Sequence, residues 1–474
     1  MKRQNMWGPR NLSRTIPSPF SIPNVRRFVV FRALFNARFY YPVFTILFLD
    51  FGLSLPQFAW LNAVWAATIV LLEVPSGALA DILGRRNLLV LSGVLMVLEM
   101  VVLCLAPKGH PNWLFTAFLV NRVLSGAAEA AASGADEALA YDSLKHDGDV
   151  RDWGRVLEVQ MRVQSSAFII VMTVGAAVYD PTLLQWLVRK LGLSLSITQE
   201  TTLRLPVYLT LCSAILTLVT TLGMREASPQ LREACAVSDG CRESIANAFR
   251  LTLEAGRWIL STPLALIVIL AGLLFDHVIR MLITMNSQYY RLIDLPEASF
   301  GLIGSAMASL GLVVPRLARH LAGRTSPATS LSLLAAVTLM GLVGMSQFWP
   351  FVGLVPVVVL MAVMQCVHFL VSHNLNRITD SRQRATVLSF KGLSYNLAYG
   401  LIGLLYSFLL LALRSGAPEW GGALSTEQVT DAIFIQSIAW FPVYFALLTA
   451  CLMLYAWWRG RNQDGIEPHA RRGS

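Results

Sequence analysis

The chain has 474 residues, of which 55% are hydrophobic and only 14% charged, with a mean hydropathy of +0.57. This composition excludes a soluble globule with a polar surface and indicates an all-α polytopic membrane protein. The formal charge of +10 does not indicate nucleic acid, because the basic residues are dealt out to alternate loops.

Met1 to Ser21 is polar, contains Pro17 and Pro19 and has no apolar core of its own, so the first span is expected to serve as the targeting signal. Apolar runs near the ~20 residues needed to cross a ~30 Å hydrocarbon layer follow. They are Phe28–Asp50, Pro56–Ala80, Leu88–Ala106, Trp113–Leu139, Val156–Val178 and Pro206–Gly223, then Pro263–Met285, Phe300–Leu321, Ala328–Met345, Val352–Leu375, Ala385–Leu413 and Ile433–Trp457. Between spans two and three lies a short turn, Gly77 to Arg86, whose Gly77 and Gly84 permit a sharp bend. Asp81 can accept hydrogen bonds from a neighbouring helix N-terminus. Arg85 and Arg86 either obey the positive-inside rule or pair with Asp136, Glu137 or Asp142 at the inner end of span four. Between Asp180 and Thr202 an insert carries Leu183, Leu184, Trp186, Leu187 and Leu191, which suits the outer interface. The longest polar stretch, 224–262, contains Ile245, Phe249 and Leu253 at four-residue spacing and is expected to include an amphipathic helix.

Loops counted alternately carry about 26 basic residues on one side and about 6 on the other, the positive-inside pattern. Both termini and the 224–262 linker are therefore expected in the cytoplasm, with the chain multi-pass in the cell (inner) membrane. The divisions are a tail (1–27), a six-helix bundle (28–223), the linker (224–262), a second bundle (263–458) and a tail (459–474). Setting Arg155 against Arg384 aligns Arg162 with Lys391 and brings Gly175 within one position of Gly403, which fits a parallel duplication.

Ionisable residues inside the spans are Arg32, Arg38, Glu73, Glu99, Arg122, Glu129, Asp136, Glu158, Arg162, Asp276, His277, Arg280, His368 and Lys391. Each costs roughly 2.5–3.5 kcal/mol or more facing lipid unpaired, so most must face a cavity or a partner. Glu158 with Arg162 and Asp276 with Arg280 are four apart, and Arg122 with Glu129 seven apart, so each pair shares a helix face. Glu99 has no same-helix partner, and Arg32 near the inner end can snorkel. Arg38 and Lys391 are then the cations left to meet something else, either an anionic or polar substrate group or, for Lys391, an acid on a neighbouring helix.

These motifs resemble the major facilitator superfamily of secondary transporters. The turn is similar to that family's loop between helices two and three at Gly77, Leu79, Ala80, Asp81, Gly84, Arg85 and Arg86, with Ile82 where a basic residue is usual. Arg122 and Gly126 are similar to its helix-four pattern, whereas the Gly-Pro pair of its drug antiporters is absent from Val171–Tyr179. Leu72–Asp81, Ser133–Leu139 and Arg384–Ser389 look like a bacterial permease branch. The resemblance implies about twelve helices in two pseudo-symmetric six-helix bundles, working by alternating access. It implies a conformational latch of Gly77, Asp81, Gly84, Arg85, Arg86 and Asp136. The substrate and proton pathway is expected along Arg38, Arg122, Glu129, Arg162, Asp276, His277, Arg280, His368 and Lys391. Glu129, Asp276 and His277 are the first candidates to carry protons. The expected partners are a small-molecule substrate, a coupling ion (a proton) and the bilayer, with no nucleic acid, no cofactor and a monomeric chain. Export of a small organic compound is the direction the resemblance favours, and uptake of a small anionic or polar metabolite is the alternative. A membrane-embedded enzyme or a receptor is the competing class, but no His-Glu-x-x-His, nucleophile elbow or Walker stretch is present.

Overall fold

The computed structural model describes residues 18–226, 240–378, 384–415 and 426–464, and these form helices without a strand. In chain order they are α1 (Pro23–Phe35), α2 (Phe44–Phe51), α3 (Leu55–Leu83), α4 (Arg85–Cys104), α5 (Pro111–Ala132), α6 (Ala135–Asp147), α7 (Trp153–Tyr179), α8 (Pro181–Lys190), α9 (Gln199–Thr202) and α10 (Leu205–Gly223). Beyond the linker follow α11 (Gly240–Ser261), α12 (Pro263–Thr284), α13 (Asn286–Leu292), α14 (Ser299–Arg324), α15 (Pro327–Met345), α16 (Leu354–Ile378), α17 (Arg384–Ser415), α18 (Thr426–Ile438) and α19 (Trp440–Asp464). Among the described residues, 10 helical stretches are long and apolar enough to cross a membrane.

The first and fourth expected spans are absent from those ten, each for a local reason. Span one is broken between α1 and α2, where the chain runs irregularly from Asn36 through a single 3-10 turn at Tyr41–Val43 containing Pro42. Span four is α5, whose 22 residues are long enough to cross but whose Asn121, Arg122 and Glu129 make it less apolar than the ten. It ends at Ala132 instead of Leu139, because Gly134 takes a left-handed φ of 75° and α6 starts in a new direction. Proline opens many of the helices, at Pro23, Pro111, Pro181, Pro206, Pro263 and Pro327, where its missing N–H would have had no partner anyway.

In the first half α4 packs between α5 and α10, while α1 packs against α7 and α10. In the second half α16 packs against α12, α14 and α15. The halves meet along two seams, α3 against α17 and α7 against α14. Small residues let these backbones approach: a methyl group at Gly301 of α14 would lie 2.1 Å from the Met172 carbonyl oxygen of α7. The Gly175 and Gly403 positions matched in sequence both abut backbone of another span, near Phe39 and Ala59. The expected amphipathic helix is α11, which leaves Phe249 and Leu253 exposed and packs against α3 and α17. The insert after Asp180 holds α8, none of whose residues is buried.

Candidate functional site

A cavity of about 450 Å³ lies between the halves. The first half lines it with Tyr40, Tyr41, Asn62, Trp65, Arg122 and Glu129, the second with Arg280, Asn286, Tyr290, Phe300, Gln365 and Tyr399. A second cavity of about 270 Å³ shares Trp65 and Glu129 and is lined further by Arg32, Asn36, Glu73 and Asp136. It extends towards the face where α1 begins, marked by the Asn24 bonds to Ser143 and to the Arg225 carbonyl at 2.8 and 2.7 Å.

The break in span one delivers Tyr40 and Tyr41 to the cavity. Non-helical backbone at membrane depth is tolerated only where protein satisfies it, and it is satisfied here. Phe39 N–H donates to Thr210 Oγ1 (3.0 Å), and the Thr45 and Ile46 N–H groups donate to Ser287 Oγ (2.9 and 3.2 Å). Arg38, at the break, does not line the cavity. Its guanidinium pairs with Glu99 of α4 and donates to Tyr40 OH (3.3 Å), while Asn121 Nδ2 donates to the Glu99 carbonyl (2.9 Å). The two residues expected to stand alone therefore neutralise each other, a pairing between helices that same-helix spacing cannot reveal.

Arg122 is 4% exposed. Its Nε and Nη2 donate to Asn121 Oδ1 at 3.1 and 3.0 Å, and its guanidinium lies over the rings of Phe44 and Phe48 at 5.2 and 5.3 Å. It makes no ion pair with Glu129, contrary to the reading from spacing, because seven residues on a helix are about 10.5 Å apart along its axis. The Glu129 side chain lines both cavities and has no hydrogen bond or ion pair among the described residues.

In the second half Asp276 is fully buried and holds Arg280 Nη2 (2.8 Å) and His368 Nε2 (2.9 Å). Arg280 also donates to Asn396 Oδ1 (3.0 Å) and lies over Tyr399 (5.3 Å). His277 points elsewhere, its Nδ1 2.6 Å from the Leu273 carbonyl oxygen and its Nε2 3.1 Å from Tyr444 OH, so it ties α12 to α19. Lys391 reaches Ser372 Oγ (3.4 Å) and the Tyr395 ring (5.7 Å) and lines neither cavity. Arg162 is an exposed partner of Glu158 (2.6 Å) and also lines neither.

The residues expected to form one latch divide into two clusters. Gly84 closes α3 with a φ of 88°, Arg85 pairs with Asp142, and Arg86 donates to the Met224 and Leu222 carbonyls (2.7 and 3.1 Å). A cation there complements the carbonyl end of α10. Asp136 instead pairs with Arg32 (2.5 Å), which also reaches Glu137 (2.8 Å), so Arg32 is anchored and does not snorkel. Gly77 lies within the continuous helix α3 and makes no bend, so the turn expected over Gly77–Arg86 is confined to Gly84; the Asp81 side chain lies outside the described part of the structure.

On the face away from the chain ends the halves are tied together. Arg291 of α13 donates to both Asp50 oxygens of α2 (3.1 and 2.9 Å) and to Glu297 (2.6 Å), and Tyr179 OH donates to Asp50 (2.5 Å). Asp180 accepts from the Ala298 N–H across the seam (3.1 Å). Burial raises the Asp180 carboxyl, but the bonds from Thr182, Leu183 and Ala298 outweigh it and hold it below the ordinary carboxylate range. Nothing in the sequence pairs these residues with one another: they sit at span ends, and only the three-dimensional register brings those ends together.

Two helical halves meeting along paired seams, with a mostly apolar cavity between them that carries a few charged and polar side chains and is closed on one face, define a secondary-transporter architecture. The sequence profile of the Major Facilitator Superfamily matches residues 28–403, and the chain belongs to that superfamily. No curated protein matches in sequence. Among solved structures, the chain is similar to a bacterial homologue of the human lysosomal transporter Spinster in its inward-facing, unoccupied conformation (14% identity, 94% of this chain and 98% of that one, TM-score 0.66). It is also similar to the nucleoside transporter NupG (11%, 91% and 98%, 0.65) and to a D-xylose–proton symporter (12%, 90% and 97%, 0.60). At these identities the likeness is one of fold, a fold that supports secondary transport by alternating access.

Proposed function

We propose that this chain moves a small organic solute across the inner membrane by alternating access, coupled to protons, with Glu129 as the proton carrier. In this reading the six-helix bundles 28–223 and 263–458 rock about the central cavity, and the chain ends and linker are cytoplasmic. The observation that carries it is the pair of cavities sharing Glu129 between the halves, with the opposite face tied shut. A carboxyl at the junction of two cavities, without a fixed partner, can exchange its proton with whichever compartment is open. Asp276, held by Arg280 and His368, supports the fold of the second half in this reading.

The test is transport of candidate solutes in proteoliposomes with and without a pH gradient. Wild-type protein is expected to accumulate solute only when the gradient is imposed, whereas Glu129→Gln retains exchange of solute for solute and loses gradient-driven accumulation. Export against protons and uptake with protons are separated by acidifying the vesicle interior or the bath. Gradient-driven accumulation by Glu129→Gln at the wild-type level would end the proposed role.

A further inference from the structure

We infer that the central cavity is built for an aromatic organic anion, a planar ring system bearing one carboxylate or equivalent group, with Arg122 as its anion-binding residue. This rests on the transport reading above and adds the substrate class.

The argument starts from charge. A buried guanidinium away from any carboxylate is unstable in a low-dielectric interior unless something anionic compensates it. Arg38 has Glu99, Arg280 has Asp276 and Arg291 has Asp50 and Glu297. Arg122 is nearly as buried as Arg38 and more buried than Arg280 or Arg291, yet has only the neutral amide of Asn121 and two phenyl faces, with no carboxylate within 4.0 Å among the described residues. Asn121 takes Nε and Nη2, so Nη1 is left at the cavity wall without a hydrogen-bond partner among the described residues. A carboxylate is the natural acceptor for that edge.

The rest of the wall selects the body of the ligand. Tyr40, Tyr41, Phe44 and Trp65 come from one half and Tyr290 and Tyr399 from the other. Aromatic side chains on both sides of a cavity of about 450 Å³ favour a flat ring system that stacks between them, and the volume falls in the ~300–1,000 Å³ range of small-molecule sites. Because both halves contribute rings, occupancy is felt by both.

The same placement sets the coupling. An ionised Glu129 repels an anion in its own cavity, so the anion binds best when Glu129 carries a proton. One anion and one proton then cross in the same direction, and Glu129 releases the proton to water when the anion leaves.

Purified full-length protein titrated with 2-naphthoate, followed by quenching of tryptophan fluorescence, tests the charge and the ring separately. The amide 2-naphthamide and the saturated decahydronaphthalene-2-carboxylate are each expected to bind at least tenfold more weakly. Arg122→Gln should remove the preference for acid over amide while keeping the amide affinity, and Arg122→Lys should restore part of it. Equal affinity for acid and amide, an acid preference that survives in Arg122→Gln, or no binding of 2-naphthoate at millimolar concentration would overturn the inference. Gradient-driven transport of an uncharged solute without binding of the acid would remove the anion site and leave proton coupling standing. Tight acid binding with no response to a pH gradient would do the reverse.

Discussion

At the scale of single residues, burial and pairing sort the intramembrane charges into those that hold the fold and those left over for work. Arg38 and Glu99 belong to the first kind, since both are within 2% of complete burial and each neutralises the other across the break in span one. Removing one partner of a buried pair leaves an uncompensated charge and costs about 3–5 kcal/mol, whereas replacing both with apolar residues of similar size is often neutral. Glu99→Gln is therefore expected to lower the melting temperature in detergent sharply, and Arg38→Met with Glu99→Met to recover most of it. A single variant that melts like wild type would mean that the pair contributes nothing to the fold. The charges themselves were legible in the sequence, as were the same-helix pairs Glu158 with Arg162 and Asp276 with Arg280, because four-residue spacing suffices to find them. Arg38 with Glu99 and Arg32 with Asp136 were not, because their partners lie about 60 and 100 residues away and are joined only by packing.

Among the elements, the short helices α2 and α13 matter most, because they meet across the halves while the long spans beside them do not close that face. Each follows a break in the first span of its half, at Asn36–Val43 and at Met285. The break frees a short segment to turn inwards, with Thr45 Oγ1 donating to the Thr284 carbonyl (2.6 Å) and Arg291 clasping Asp50. Charge-assisted hydrogen bonds contribute roughly 1.5–3 kcal/mol each, so losing this clasp is expected to raise the population open on that face by about 10–100-fold. The check is the rate at which a membrane-impermeant thiol reagent labels Asn286→Cys, in a chain otherwise free of cysteine. Adding Asp50→Asn should speed labelling from that face, and an unchanged rate would mean the clasp does not hold the gate. Asp180 contributes in the same sense with a defined pH dependence. Its carboxyl is held below the ordinary range, so its contribution to closure is present at neutral pH and is lost only as the pH falls through that lowered value. Neither break was legible from hydropathy, which reads apolar runs through an irregular turn as readily as through a helix.

For the whole molecule, the orientation in the membrane follows from counting crossings and from where the basic residues fall. Hydropathy alone made about twelve spans legible, and the structure keeps that number even though only 10 stretches pass as unbroken apolar helices. The first crossing is shared between α1, of 13 residues, and α2, of 8. At 1.5 Å per residue these pieces rise about 20 and 12 Å, together one passage through a ~30 Å hydrocarbon layer. The fourth crossing is α5 alone, because α6 turns off at Gly134 beside the Arg32 and Asp136 pair. An even number of crossings returns the chain to its starting face, and the bias of about 26 basic residues to 6 is the reason for proposing that this face is cytoplasmic. A reporter that fluoresces only in the cytoplasm, fused after Ser474, is therefore expected to be bright, and one placed in the exposed turn at Gly192 to be dark. A dark C-terminal fusion expressed at a normal level would require an odd number of crossings. The half-length segments around Asn36 or Gly134 would then be the first places to look, because a segment of that length can enter the bilayer and leave by the same face.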